Sequence, residues 1–218
     1  DLARESERPL TSRLDLEFGR CRLVVASREE GGVKSVEEIV GTPRVATVFP
    51  NLTRQFFRNA DKAIDVVPVS GAVEVTPHLG IADLIVDLSS TGSTLKVNGL
   101  TEIAVVLQSS ARLITLATPS EDIWRAAALD ELASSLQSVV AARGKRYVMA
   151  NVPRARLDDV RRILPGITGP TVIDLMNGGV MVAVHAVADA TGIYRTVNAL
   201  KKVGAEGILV TRIERLTA

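Results

Sequence analysis

The sequence predicts an α/β protein in two parts: a mostly parallel sheet built from alternating strands and helices, then a small module with elements in the order βαββαβ. Three observations carry this. Short apolar, β-branched runs alternate with amphipathic stretches, joined by brief connections. After the longest helical pattern, Arg143-Gly144-Lys145 stops the helix and begins a linker. Of the 218 residues, 46% are hydrophobic, enough to bury a sizeable core in one or two domains.

Each element has its own signal. Residues 1–6 (DLARES) read as a charged helix, and residues 10–18 alternate apolar and polar until Gly19 breaks them. Residues 21–26 (CRLVVA) are an apolar run and read as a strand. A charged turn covers 28–32. Ser35-Val36-Glu37-Glu38 fits a capping box that opens a short helix ending by Gly41. Residues 44–49 read as a buried strand. Pro50-Asn51 starts a helix to about Asn59, with Leu52, Phe56 and Phe57 inward. Residues 63–69 form a strand, Ser70-Gly71 a turn, 72–79 a short helix and 84–88 a buried strand. Two more strands follow, 101–107 and 112–117, with a hydrophilic break at 108–111. Pro119-Ser120-Glu121 punctuates and caps. Helical spacing then runs over 121–142, where Leu129, Leu132, Leu136 and Val139, with Trp124 near the same face, form a stripe for core or subunit packing.

The rest reads as strand 146–152, helix 153–164, strand 171–175, a hairpin turn at Asn177-Gly178-Gly179, strand 180–187, helix 190–203 ending at the C-cap Gly204, and strand 208–213. That order is ferredoxin-like.

One stretch carries chemistry. The strand Leu84-Ile85-Val86-Asp87-Leu88 runs into Ser89-Ser90-Thr91-Gly92-Ser93-Thr94, small residues and hydroxyls around a glycine. Such a loop turns backbone N–H groups and hydroxyls toward a phosphate without blocking its approach. A helix beginning near Leu95 would add a favourable field. Asp87 stands at the strand's C-terminal end, where ligands bind in open α/β sheets. A carboxylate there accepts hydrogen bonds from ribose hydroxyls, so acid plus loop reads as a ribose 5-phosphate grip.

The wider pattern is Glu74, Gly80, Ala82, Ile85, Asp87-Leu88, then Thr91-Gly92-Ser93-Thr94-Leu95. It closely resembles the signature of the ATP phosphoribosyltransferase family, the first enzymes of histidine biosynthesis. RVATVFPNLTRQFF and SGAVEVTPHLGIAD are similar to that family's second lobe. ANVPRARLDDVRRILPGITGPT and AEGILVTRIERL resemble the regulatory domain of its long, histidine-inhibited form. The resemblance implies a two-lobed catalytic region like a periplasmic binding protein, residues 1–143, with lobe two about 22–107 and the remainder of lobe one in 1–21 and 108–143. A regulatory domain follows at 144–218. It implies cytoplasmic condensation of ATP with phosphoribosyl pyrophosphate, with Mg²⁺, in a homo-oligomer between dimer and hexamer.

By that resemblance Ser90, Thr91, Gly92, Ser93 and Thr94 take the 5-phosphate, and Asp87 and Glu74 the ribose hydroxyls, directly or through Mg²⁺. Asn151, where the family often has an acid, and Thr171 fall at its histidine-binding positions. An amide pairs less strongly with a ligand's ammonium than a carboxylate does. The family's first lobe also begins several dozen residues before the match to Asp1, so a lysine-glycine ATP segment is expected upstream and the phosphoribosyl site within these residues.

Other readings rank lower. Net charge is +1, which gives no case for a nucleic-acid or membrane partner. The lone Cys21 reads as a strand residue. The two histidines, His78 and His185, have no Cys or second His nearby to make a metal cluster. Thr47, Asn51 and Arg54 flank a strand-to-helix turn on the same cleft edge, Arg54 reading as a surface arginine. The main alternative is a non-catalytic phosphoribosyl- or nucleotide-binding regulatory protein. Another phosphoribosyltransferase type would carry two adjacent acids before its loop, and Val86-Asp87-Leu88 has one.

Overall fold

The computed structural model describes residues 1–118, 120–176 and 178–217. The chain divides into two compact units, Asp1–Ala126 and Ala127–Ala218.

The first unit opens with α1 (Leu2–Glu5), β1 (Leu10–Asp15), β2 (Cys21–Arg28), β3 (Arg44–Thr47), α2 (Pro50–Asn59) and β4 (Asp65–Pro68). A 3₁₀ turn (Val73–Val75) leads to β5 (Leu84–Ser89), α3 (Ser93–Val97), β6 (Leu100–Ser109) and β7 (Arg112–Leu116). Five strands form one sheet in the order β4-β3-β5-β2-β6. The sheet is mixed, not mostly parallel: β3 runs parallel to β4 and β5, but β2 is antiparallel to β5 and β6. The reason is the path of the chain. It enters along β2 and leaves along β6 beside it, so the two oppose one another, Cys21 facing Ser109. Outside that edge the same two segments continue as a separate ladder, β1 with β7, Asp15 facing Arg112.

Alternation along the strands feeds two cores. Leu23, Val25, Val45 and Val86 pack with Leu52 and Phe57 of α2 on one face. Val24, Ala26 and Ile85 pack with Val73, Leu95 and Leu100 on the other. Each large apolar side chain buried in this way contributes roughly 1.5–3 kcal/mol.

Two expected helices are absent. Residues 35–41 form only turns and bends. The Glu38 carboxylate accepts from the Lys34 N–H at 2.7 Å instead of the Ser35 N–H a capping box requires. So short a segment before Gly41 does not repay helix nucleation; buried Val36 and Ile39 hold it as an irregular plug. Residues 72–79 keep only the single 3₁₀ turn, entered through Ala72 at φ +50°.

Helix α4 (Ile123–Ala142) carries the chain into the second unit. Its expected packed stripe is only partly covered: Leu129 and Leu136 are half-buried, while Leu132 and Val139 are exposed and Trp124 is 86% exposed. The residues it buries are Ser138 and Ala142, outside the leucine stripe, so the leucine period does not mark the buried side.

Beyond it come β8 (Lys145–Pro153), a 3₁₀ turn (Arg154–Arg156), α5 (Leu157–Ile163), β9 (Thr171–Asp174), β10 (Met181–Asp189), α6 (Ile193–Lys202) and β11 (Glu206–Arg212). The antiparallel sheet runs β11-β8-β10-β9, the arrangement of a ferredoxin-like module. Val148, Val152, Val182 and Val184 pack with Val160, Leu164 and Leu200. The expected punctuation at Pro119 and hairpin residue Asn177 lie outside the described residues. Among the described residues, no helix is long and apolar enough to cross a membrane.

Candidate active site

The parallel strands β3 and β5 end side by side, and each is followed by a turn into a helix. The loop after β5 is the expected Ser90–Thr94 stretch. Gly92 has φ +77° and enters α3 through the left-handed region, where a β-carbon is strained although it would meet nothing within 4 Å. The requirement is therefore conformational, and the space above Gly92 stays open. Ahead of it Thr91 Oγ1 and Ser93 Oγ share a hydrogen bond at 2.9 Å. Thr91, Ser93 and Thr94 are all exposed.

Helix α3 has five residues. The helix field expected behind the loop is thus that of little more than one turn, and amides and hydroxyls must do most of the holding.

Glu74 arrives from the 3₁₀ turn and Asp87 from β5. Both are half-buried, and with Ser90, Thr91, Gly92, Ser93 and Thr94 they line one concavity of about 80 Å³. Burial is the main force pushing the Asp87 pKa up. A hydrogen bond from the Leu88 N–H at 2.8 Å opposes it, and the nearby Glu74 carboxylate adds to it. Two carboxylates thus face each other's charge beside a row of hydroxyls.

The other expected edge residues have structural partners. Thr47 is buried; its hydroxyl donates to the Val86 carbonyl at 2.7 Å and accepts from the Phe49 N–H at 2.9 Å. The Asn51 backbone N–H and side-chain amide are both engaged by Glu5, and Arg54 is exposed on α2. His78 Nε2 meets the Asn98 carbonyl at 2.7 Å, tying the 3₁₀ turn to the end of α3. In the second unit Asn151 and Thr171 fall on one sheet face, opposite Ala183 and His185 respectively, with β10 between them. His185 Nδ1 and the Tyr147 hydroxyl are 2.7 Å apart.

A second, larger cavity of about 420 Å³ shares Ser90 with the loop pocket and lies where β2 and β6 give way to the β1–β7 ladder. Arg20, Arg22, Arg112 and Asp15 are among its lining residues. Asp15 accepts from Arg112 at 2.9 Å and from the Ser110 hydroxyl at 2.8 Å. Hydrogen bonds from the Glu17 backbone and Ser110 hold its carboxyl below the usual range. Sequence reading missed these arginines. The signal was the doubled Arg20-Cys21-Arg22 at a strand start, but Arg112 joins them only through long-range pairing.

Comparison with known proteins gives the chain's family. The family model described as ATP phosphoribosyltransferase matches residues 1–138, and the one described as HisG, C-terminal domain, matches 142–215. An ATP phosphoribosyltransferase of Gemmatimonas aurantiaca is 60% identical over 99% of this chain and 76% of its own length. One from Halorubrum lacusprofundi is 48% identical over 95% of this chain and 69% of its own. Among solved structures, the ATP phosphoribosyl transferase (HisG:HisZ) complex from Thermotoga maritima is 28% identical with a TM-score of 0.55, covering 64% of this chain and 66% of that one.

The class these matches define is a pentosyl-transferring glycosyltransferase with an α/β catalytic region and an appended C-terminal domain. The chain belongs to the ATP phosphoribosyltransferase family, whose enzymes condense ATP with phosphoribosyl pyrophosphate to give phosphoribosyl-ATP and pyrophosphate, the first step of histidine biosynthesis.

Proposed function

We propose that this chain performs its family's reaction by holding the ribose 5-phosphate half of phosphoribosyl pyrophosphate in the pocket of Glu74, Asp87 and Ser90–Thr94, and that its second unit makes the reaction answer to histidine. One observation carries the first part: residues from two separate stretches, the 3₁₀ turn and the β5–α3 loop, line one concavity of carboxylates and hydroxyls.

The chemistry is displacement at C1 of the ribose. Adenine N1 forms the new bond, the bond from C1 to the pyrophosphate oxygen breaks, and its electron pair leaves with pyrophosphate. No covalent enzyme intermediate is required, so the protein's contribution is alignment and charge stabilisation. The loop amides and hydroxyls of Ser90–Thr94 fix the 5-phosphate, which takes no part in bond making. Each hydrogen bond to that dianion is worth roughly 1.5–3 kcal/mol, binding energy available to orient C1. Asp87 and Glu74 accept from the ribose hydroxyls and set the rotation of the ring.

Mg²⁺ suits this donor set. Two neighbouring carboxylates plus substrate oxygens are what it takes when it is not caged by protein alone. Among the described residues no group of three His, Cys, Asp or Glu side chains is placed to hold a metal. Mg²⁺ would supply charge neutralisation for the departing pyrophosphate, and Glu74 and Asp87 are the residues that would hold it. For histidine, Asn151 and Thr171 are the residues assigned. They lie on one sheet face with β10 between them, and a ligand spanning that strand would reach both.

The test is pyrophosphate release from ATP and phosphoribosyl pyrophosphate by the wild-type protein and by Gly92→Val, with and without histidine. Release that Gly92→Val abolishes and histidine suppresses is the expected result. An unchanged KM for phosphoribosyl pyrophosphate in Gly92→Val would sink the loop assignment. Release indifferent to histidine would sink the regulatory one.

A further inference from the structure

Phosphoribosyl pyrophosphate has two charged ends, and the loop pocket is the size of one. At about 80 Å³, lined by hydroxyls and two carboxylates, it has no arginine or lysine among its lining residues. The pyrophosphate end carries more charge than the 5-phosphate and needs cations.

The cavity beside it has them. It is about 420 Å³, and its charged lining residues are Arg20, Arg22 and Arg112 against the single carboxylate of Asp15. Ser90 belongs to both hollows, so one molecule can reach from the loop into the cavity. Strand register fixes the approach. Arg22 on β2 faces Ser89 on β5, and Val24 faces Asp87. Directly opposed residues share a sheet face, so Arg22 stands on the face that carries Asp87, next to the start of the loop. Diagonal neighbours on such a face lie about 7–8 Å apart, roughly the reach of one sugar.

Two of these guanidinium groups are already aimed by carboxylates. Arg22 Nη1 donates to Glu102 at 2.8 Å, and both side chains are part-buried, at 39% and 25% exposed. Arg112 Nη2 donates to Asp15 at 2.9 Å. A guanidinium has five donors in a fixed fork, so a carboxylate on one edge orients the rest without exhausting them. Forked donors match phosphate oxygens in pairs, which a lysine does not do.

We propose that Arg22, oriented by Glu102 and seconded by Arg112 across the same cavity, holds the pyrophosphate end of phosphoribosyl pyrophosphate. The proposal rests on the loop pocket taking the 5-phosphate. The polyphosphate of ATP has the same chemistry, and the measurement separates the two sources.

Calorimetric titrations of phosphoribosyl pyrophosphate, ribose 5-phosphate and ATP are made into the wild-type protein, Arg22→Ala and Arg22→Lys. Arg22→Ala is expected to weaken phosphoribosyl pyrophosphate roughly 10- to 100-fold and to leave ribose 5-phosphate and ATP within about twofold. Arg22→Lys, which keeps the charge and loses the fork, is expected between wild type and Arg22→Ala. Equal losses for phosphoribosyl pyrophosphate and ribose 5-phosphate would overturn the proposal, as would no loss or a loss confined to ATP. If Arg22→Ala does not fold, Arg22→Lys decides: wild-type affinity for phosphoribosyl pyrophosphate overturns it. Gly92→Val keeps the premise separate. If that variant binds ribose 5-phosphate normally, the loop reading fails, whatever Arg22 does.

Discussion

Asp87 carries the clearest consequence at the scale of a single residue. Burial and the Glu74 charge raise its pKa, so the folded chain holds the ionised form less readily than the unfolded chain does. Its contribution to stability is therefore complete below the ordinary carboxylate pKa and is lost as pH rises through the raised folded value. Asp87→Asn removes that titration. The variant should melt higher than wild type at neutral pH, with the gain fading as the pH falls below the carboxylate range. It should also bind phosphoribosyl pyrophosphate roughly tenfold or more weakly, having exchanged a charged acceptor for a neutral one. Thermal melts across pH, paired with one titration at neutral pH, check both. A variant destabilised at neutral pH would mean that Asp87 is a structural strand-end cap. The position of Asp87 was legible in the sequence, because a strand end before a hydroxyl loop is written in neighbouring residues. Arg22 was not: its meaning depends on Ser89 and Glu102, which reach it only through strand pairing.

At the scale of an element, α2 shows the same division. Its bounds, Pro50–Asn59, and its inward Leu52 and Phe57 match the sequence reading, because proline at the first turn and apolar spacing are written along the helix itself. Its cap is written elsewhere. Phe49, at the N-cap, makes no side-chain hydrogen bond. Instead Glu5, 46 residues earlier, accepts from the Asn51 N–H at 2.8 Å and the Leu52 N–H at 2.9 Å. A carboxylate there satisfies two orphan donors and meets the favourable end of the helix dipole. Glu5→Ala should cost about 1–2 kcal/mol, a fall in Tm of roughly 2–8 °C for a chain this long. Amide exchange at Asn51 and Leu52 should quicken. Unchanged exchange at those two amides would show that water serves the helix end as well as Glu5 does. The helix expected at residues 35–41 is the converse case: the local motif Ser35 to Glu38 is present in the sequence, but the Glu38 carboxylate accepts from the Lys34 N–H instead.

For the whole molecule, the two family models cover nearly all of the chain and meet near the end of α4, between residues 138 and 142. Compactness draws the division earlier, after Ala126, which gives most of α4 to the second unit. Composition and motif order were enough to read two parts, but not to say which of them owns the helix, since a leucine period is silent about its neighbour. The chain has one tryptophan, Trp124, in the first turn of that helix, 86% exposed. That makes the protein its own fluorimeter. Excited at the red edge of its absorption, a dilute solution should emit like indole in water. An emission maximum that moves to shorter wavelength as concentration rises would mean that self-association covers the start of α4, and one that stays put would mean that any assembly forms elsewhere.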